Sequence, residues 1–162
     1  MYEFLEETVA ANMTLPARYV APETTVGDLH RLFAADEVES YPVVQNGAVI
    51  GIVSKFDALK PFVFNADRIL PHYDDLMGTT VDEIMSRDVV STDAEAPLPR
   101  VLGIMVTRRL KSLPVLDRNR HLVGIIAHED VFRALKRCTH RQKPHNVRMS
   151  PARASSVCRH IA

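Results

Sequence analysis

Laid on itself at an offset of 72 residues, the chain superposes Met13-Thr14 on Met85-Ser86, Glu23 on Glu95 and Val26 on Leu98. The same offset places Leu29, Leu32 and Phe33 on Val101, Ile104 and Met105, and Ser40-Tyr41-Pro42-Val43 on Ser112-Leu113-Pro114-Val115. After one inserted residue the register resumes at 73, with Val49-Ile50-Gly51-Ile52-Val53 on Leu122-Val123-Gly124-Ile125-Ile126 and Asp57 on Asp130. A register held over this length is a duplication, and a duplication constrains architecture before local propensity does. Each copy is about 55 residues, too small to bury both faces of a sheet alone, so the copies are expected to pack on each other about a pseudo-two-fold axis with a cleft between them.

Local signals repeat in the same order. Thr25 and Asp28 form a capping-box pattern before an apolar stripe of Val26, Leu29, Leu32 and Phe33 at helical spacing. Tyr41–Val44 and Val49–Ser54 are β-rich runs joined by Asn46-Gly47, a strong hairpin signal. In the second copy Asp117-Arg118-Asn119-Arg120 replaces that turn and accounts for the inserted residue. A closing helix is expected from Phe56 to Val63, shortened by Pro61, and again from Glu129 to Arg137. The expected division is a first repeat over 1–62 with an N-terminal lead-in helix, a helical connector over 63–80, a second repeat over 81–137, and a basic, disordered tail over 138–162.

Composition agrees with a globular protein: 46% of residues are apolar and 25% charged, and 20 Lys and Arg balance 20 Asp and Glu. The acidic start Tyr2-Glu3-Phe4-Leu5-Glu6-Glu7 lacks the cationic and apolar regions of a signal peptide, and no apolar run approaches the roughly 20 residues that span a bilayer. A cytoplasmic location with no membrane partner is expected. Cys138 and Cys158 are the two cysteines, so disulfides are not expected to hold the fold. The neutral total hides an uneven distribution, because from Arg133 onward there are eight Lys and Arg and no acid. That segment reads as a solvated tail or as an arm for a polyanion such as nucleic acid, although it lacks aromatic residues for base stacking.

The duplicated order of a Met-led strand, a Thr- or Glu-led helix, an x-x-Pro-Val strand, a Gly-hydrophobic-hydrophobic strand and a helix with an early Asp resembles the cystathionine-β-synthase (CBS) domain. The resemblance covers Val9 to about Leu135 and implies an α/β (α+β) fold of two βαββα repeats in one stand-alone CBS domain pair. It further implies a regulatory, energy-sensing module that requires no cofactor and catalyses nothing. Such a module binds an adenosine-containing ligand, AMP, ADP, ATP or S-adenosylmethionine, in the inter-repeat cleft. Homodimers and an unidentified protein effector acting in trans belong to the same implication.

In that family a Gly-h-h-Thr/Ser-x-x-Asp motif contacts the ligand, and the first copy reads Gly51-Ile52-Val53-Ser54-Lys55-Phe56-Asp57. A carboxylate at a helix start suits ribose hydroxyls, and free N–H groups with a hydroxyl suit phosphate. Ser54-x-x-Asp57 is equally a capping box. The resemblance places Ser54, Lys55 and Asp57 opposite Val89, Val90, Ser91, Ser112, Leu113 and Pro114. A second, weaker site would use Asp130 and His128 with Arg18, Tyr19, Val20, Tyr41 and Pro42, one of the tyrosines stacking on a base. There Ala127 stands where the motif wants a hydroxyl, and Glu129 would repel phosphate, so one competent site is expected. Lys55, Lys111, Arg18 and His128 are the candidate phosphate partners.

Other chemistries find little support. No nucleophile with a base or paired carboxylates stand at catalytic spacing, and His30 and His121 have no partner in sequence. Cys138-Thr139-His140 and Cys158-Arg159-His160 are two Cys-x-His pairs, tighter than usual zinc-ligand spacing. A ligand-free dimerisation or docking module, with nucleic acid reached through the tail, is the main rival to the sensor.

Overall fold

The structure is a computed structural model that describes residues 2–63 and 72–140. Its elements run α1 (Tyr2–Leu5), α2 (Val26–Ala35), β1 (Ser40–Gln45), β2 (Ala48–Ser54), a 3-10 helix (Asp57–Phe62), α3 (Tyr73–Gly78), α4 (Val81–Ile84), α5 (Leu98–Arg108), β3 (Ser112–Leu116), β4 (Leu122–Ala127) and α6 (His128–His140). β1 pairs antiparallel with β2, and β3 with β4.

The caps and turns follow from the residues at them. Thr25 Oγ1 accepts the Asp28 N–H at 3.1 Å to start α2, and at the equivalent place Pro97, with its φ fixed at −64°, leads into α5. Asn46 and Gly47 turn the first hairpin with φ of 51° and 82°, the left-handed pair that a two-residue turn matched to strand twist requires. In the second hairpin Asp117 Oδ1 accepts the N–H groups of Asn119 and His121, both at 2.8 Å, and Arg120 takes the positive φ of 65°. Pro61 falls inside the closing helix of the first repeat, which is a 3-10 helix of six residues, whereas α6 runs thirteen. α6 extends three residues into the stretch expected to be tail, because Val131, Ala134 and Cys138 form one buried stripe at helical spacing. The rest of the expected tail, including Cys158 and His160, and the first half of the connector lie outside the described residues.

The Met-led first strands that the resemblance implies, which would fall at Arg18-Tyr19-Val20 and Val89-Val90-Ser91, are not strands. Each shrinks to a single parallel bridge, Val20 to Val43 and Thr92 to Val115. On the other edge of each hairpin sits a residue from the opposite copy. Ser86 exchanges two backbone hydrogen bonds of 2.9 Å with Ile52, and Thr14 donates to Ile125 at 2.8 Å. Because Ile52 turns its backbone groups toward Ser86, its β1 partner needs no N–H, and Pro42 occupies that place without losing a ladder bond; Pro114 opposite Ile125 repeats the arrangement.

This exchange also builds the cores. Phe4 and Val9 are buried with Leu98, Val101, Leu113, Ile126 and Val131 of the second copy, while Val81, Ile84 and Met85 are buried with Leu29, Tyr41, Val43 and Val53 of the first. Each fully buried aliphatic side chain contributes about 1.5–3 kcal/mol, so the exchanged segments are structural members of the opposite repeat. Met13 crosses Gly124 and Met85 crosses Gly51. A Cβ on Gly124 would lie 2.7 Å from the Met13 sulfur, and one on Gly51 closer still to Met85, which is why glycine opens both Gly-hydrophobic-hydrophobic strands.

Two contacts between equivalent residues mark the pseudo-two-fold axis. Ser40 Oγ lies 2.6 Å from Ser112 Oγ at one end of the hairpins, and Ala48 bridges His121 at the other. Residues related by a two-fold rotation touch each other only where the axis passes between them.

Candidate functional site

A cleft opens on each side of the Ser40–Ser112 contact. Both are lined by Glu39, Ser40 and Ser112, which form a shared wall. The first cleft, about 540 Å³, is built on the end of β2 and the start of the 3-10 helix, which supply Ser54, Lys55, Phe56, Asp57 and Leu59. Its opposite side is the run before β3, Arg109-Leu110-Lys111, with Ser86 and Asp88 at the edge. The second cleft, about 450 Å³, presents Asp130, Glu129 and Arg133 of α6 against Pro16-Ala17-Arg18 and Glu37-Val38.

In the first cleft Asp57 closes a reciprocal cap with Ser54. Asp57 Oδ2 accepts the Ser54 N–H at 2.8 Å and the Ser54 hydroxyl at 2.6 Å, and Ser54 Oγ accepts the Asp57 N–H at 3.2 Å. Asp57 Oδ1 meets Lys60 Nζ at 2.6 Å, and Lys60 also donates to the Ile84 carbonyl. Burial pushes the Asp57 carboxyl up, but the Lys60 ammonium and the Ser54 donors outweigh it and hold the group below the usual carboxylate range. An ionised carboxylate has about four acceptor positions; these contacts fill three, so one ribose hydroxyl can be taken without displacing any.

In the second cleft Asp130 is almost fully buried. Its Oδ2 accepts the Ala127 N–H at 2.9 Å and its Oδ1 the Arg133 guanidinium at 2.9 Å. Ala127 has no hydroxyl, so half the reciprocal cap is missing. Arg18 is engaged by Asp36, which also accepts the Tyr41 hydroxyl at 2.6 Å. The Tyr41 hydroxyl and Arg18 together hold Asp36 below the usual carboxylate range.

The structure thus gathers Ser54, Lys55, Asp57 and Ser112 in one cleft and Asp130 with Arg18 in the other. The remaining expected contacts stand elsewhere. Leu113, Val20 and Tyr41 are core side chains, and Pro42 and Pro114 are buried within their strands. Tyr41 packs on Phe33 with ring centroids 5.0 Å apart, and burial followed by its bond to Asp36 raises its hydroxyl pKa, so no base can stack there. Tyr19 is exposed outside the cleft lining, and Val89, Val90 and Ser91 are half-buried outside it, with Val90 against the second core. His128 turns toward an apolar groove between α5 and α6, its Nδ1 3.1 Å from the Lys111 carbonyl. The sequence reading chose the x-Pro-Val strands, whose side chains are buried, whereas the cleft walls are the residues just before them. Aligning the copies shows that signal, since Glu37-Val38-Glu39 falls on Arg109-Leu110-Lys111.

The two clefts therefore differ in charge. Lys55, Arg109 and Lys111 balance Glu39, Asp57 and Asp88 in the first cleft, whereas four acids, Glu37, Glu39, Glu129 and Asp130, face two arginines in the second. Among the described residues no three His, Cys, Asp or Glu converge as a metal-binding set, and no helix is long and apolar enough to cross a membrane.

Two repeats exchanging their lead-in segments across an axis, with a cleft on either side, define a paired-cleft tandem module. The CBS domain family model matches residues 7–63 and 81–137, and the chain belongs to that family. It is 27% identical over 132 residues to protein MJ1225 of Methanocaldococcus jannaschii, covering 78% of this chain and 46% of that protein. The chain spans half or less of the curated relatives it matches first. The crystal structure of MJ1225 superposes with a TM-score of 0.73 at 26% identity, over 80% of this chain and 48% of that one. The CBS domain pair of protein MJ0100, solved with 5′-methylthioadenosine and S-adenosyl-L-methionine, superposes at 0.69 with 21% identity, over 82% and 98% of the two chains. CBSX2 in complex with AMP gives 0.68 at 23% identity, over 82% and 98%.

Proposed function

We propose that this chain is a regulatory module that binds an adenosine-containing ligand in the first cleft and acts in trans on a protein effector, itself working as a homodimer in the cytoplasm. The observation that carries the reading is the convergence of Asp57, with one acceptor position open, and three cations, Lys55, Arg109 and Lys111, around one space. Its volume of about 540 Å³ lies within the roughly 300–1,000 Å³ of small-molecule sites. Asp57 would hold a ribose hydroxyl, Ile52, Phe56 and Leu59 would cover the base, and the cations would face the phosphates. Methylthioadenosine and S-adenosylmethionine on the MJ0100 pair and AMP on CBSX2 support an adenosine class of ligand. Membership of the CBS family supports a role in regulation rather than catalysis, and binding is expected to shift the packing of the repeats by no more than its differential affinity for the two arrangements.

The test is a thermal-melt panel with AMP, ADP, ATP, S-adenosylmethionine and GTP. At about 100 times the dissociation constant, binding to the folded state adds about 2.7 kcal/mol, and each kcal/mol raises the melting temperature of a chain this size by roughly 2–4 °C. A shift with adenine ligands and none with GTP supports the reading, and no shift with any ligand overturns it.

One observation favours docking as a second activity. Leu102, Val106, Phe132 and Leu135 line an open apolar groove of about 310 Å³ between α5 and α6. In the first copy Phe33 and Phe62 stand at the places of Met105 and Leu135, and Phe62 packs on His30 and Tyr73.

A further inference from the structure

Glu39 is the one titratable side chain on the wall common to both clefts. Its Oε2 accepts Lys111 Nζ at 2.7 Å and its Oε1 accepts Lys55 Nζ at 3.4 Å. Lys55 comes from the first repeat and Lys111 from the second, so two ammonium groups from opposite sides of the axis converge on a single carboxylate, in the cleft that also contains Asp57 and Arg109. That carboxylate marks where an anion sits in the cleft. The seat is open to exchange: Lys111, Lys55 and Glu39 side chains are 66%, 44% and 33% exposed, and ion pairs at such exposure are weak.

We propose that Glu39 is a resident counter-anion that fills the phosphate position of the first cleft and is displaced when a phosphate-bearing ligand enters. Glu39 is then the residue that sets how strongly this cleft prefers a phosphorylated adenosine over an unphosphorylated one. A phosphate brings more charge and three acceptor oxygens to the same two lysines. Once released, the Glu39 carboxylate remains on the shared wall beside Glu37 of the second cleft, adding to the charge that turns phosphate away there. The inference rests on the reading of the first cleft as an adenosine site.

The experiment titrates AMP, adenosine and inorganic pyrophosphate separately into the full chain and into Glu39→Gln, by calorimetry at low and at high salt, with melts confirming that both proteins are folded. Expected is an AMP affinity about fivefold higher in the variant, the upper range for one exposed ion pair, with adenosine affinity unchanged. The gain should shrink at high salt, as exposed charges are screened. An AMP-to-adenosine affinity ratio identical in the two proteins overturns the inference and leaves the adenosine reading standing. If neither AMP nor adenosine binds but pyrophosphate binds Glu39→Gln more tightly than the parent, the adenosine reading falls and the counter-anion stands. Binding of none of the three to either protein overturns both.

Discussion

In the first cleft the carboxylate at the helix start is held by two donors of Ser54 and by Lys60, and three cations line the same space; in the second the equivalent carboxylate receives one backbone N–H and Arg133, and acids outnumber cations. The backbone frames are equivalent, as the matching bridges of Ser86 and Thr14 show. Symmetry of the fold therefore does not transmit symmetry of function. Binding chemistry is set by a handful of side chains that duplication leaves free to diverge: Ser54 against Ala127, Lys55 against His128, Arg109 and Lys111 against Glu37 and Glu39.

The largest expected break of this comparison is Asp57→Ala. It should remove the whole ligand-induced stabilisation, about 2.7 kcal/mol at 100 times the dissociation constant, and lower ligand-free stability by about 1 kcal/mol through the lost cap; melts with and without AMP read both. Asp130→Ala should do the reverse. The AMP shift stays, while ligand-free stability falls by about 2 kcal/mol as Arg133 and the Ala127 N–H lose a buried charged partner, measured by urea unfolding. Next, Ser40→Ala should reduce stability by about 1 kcal/mol by leaving the Ser112 hydroxyl unpaired, and the Ser40→Ala/Ser112→Ala double variant should recover part of that loss, because no buried hydroxyl is then orphaned. The smallest change sharpens the comparison. Ala127→Ser restores the hydroxyl of the reciprocal cap and should add about 0.5 kcal/mol, with no gain in AMP binding as long as Glu37 and Glu129 line the cleft.

Acid tests the Asp57 cap by a different route. The folded-state pKa of Asp57 lies below the usual carboxylate range, so its contribution is present at and above that range and is lost as pH falls through the depressed value. The stability gap between the parent and Asp57→Asn should therefore be full at pH 7 and narrow toward pH 2, followed by denaturant unfolding across that range.

What was legible in the sequence was local. The Thr25 cap, the Asn46-Gly47 turn and the shortening at Pro61 depend on residues a few positions apart, and the structure has each of them. The cap between Ser54 and Asp57 was legible for the same reason, the two being neighbours on one turn. The crossing of Met13 over Gly124 and Met85 over Gly51 was not, because it joins residues from opposite copies, and the repeated methionines do not say which glycine each one meets. Tyr41 misled because a strand buried along Ser40–Val43 shows no alternation to separate a cleft-facing ring from a core one. Val89-Val90-Ser91 misled because β-branched residues favour a strand only where a partner edge is free, and here one bridge at Thr92 uses what is available.

The exchanged lead-ins have a consequence for biosynthesis. Synthesis runs from the first repeat to the second, yet the core that buries Phe4 and Val9 begins with Ala96 and Leu98 and is complete only when Val131, Ala134 and Cys138 have been made. The first repeat, for its part, waits for Val81, Ile84 and Met85 to close its own core. During translation the lead-in of the first repeat thus stays uncovered until the second repeat follows it.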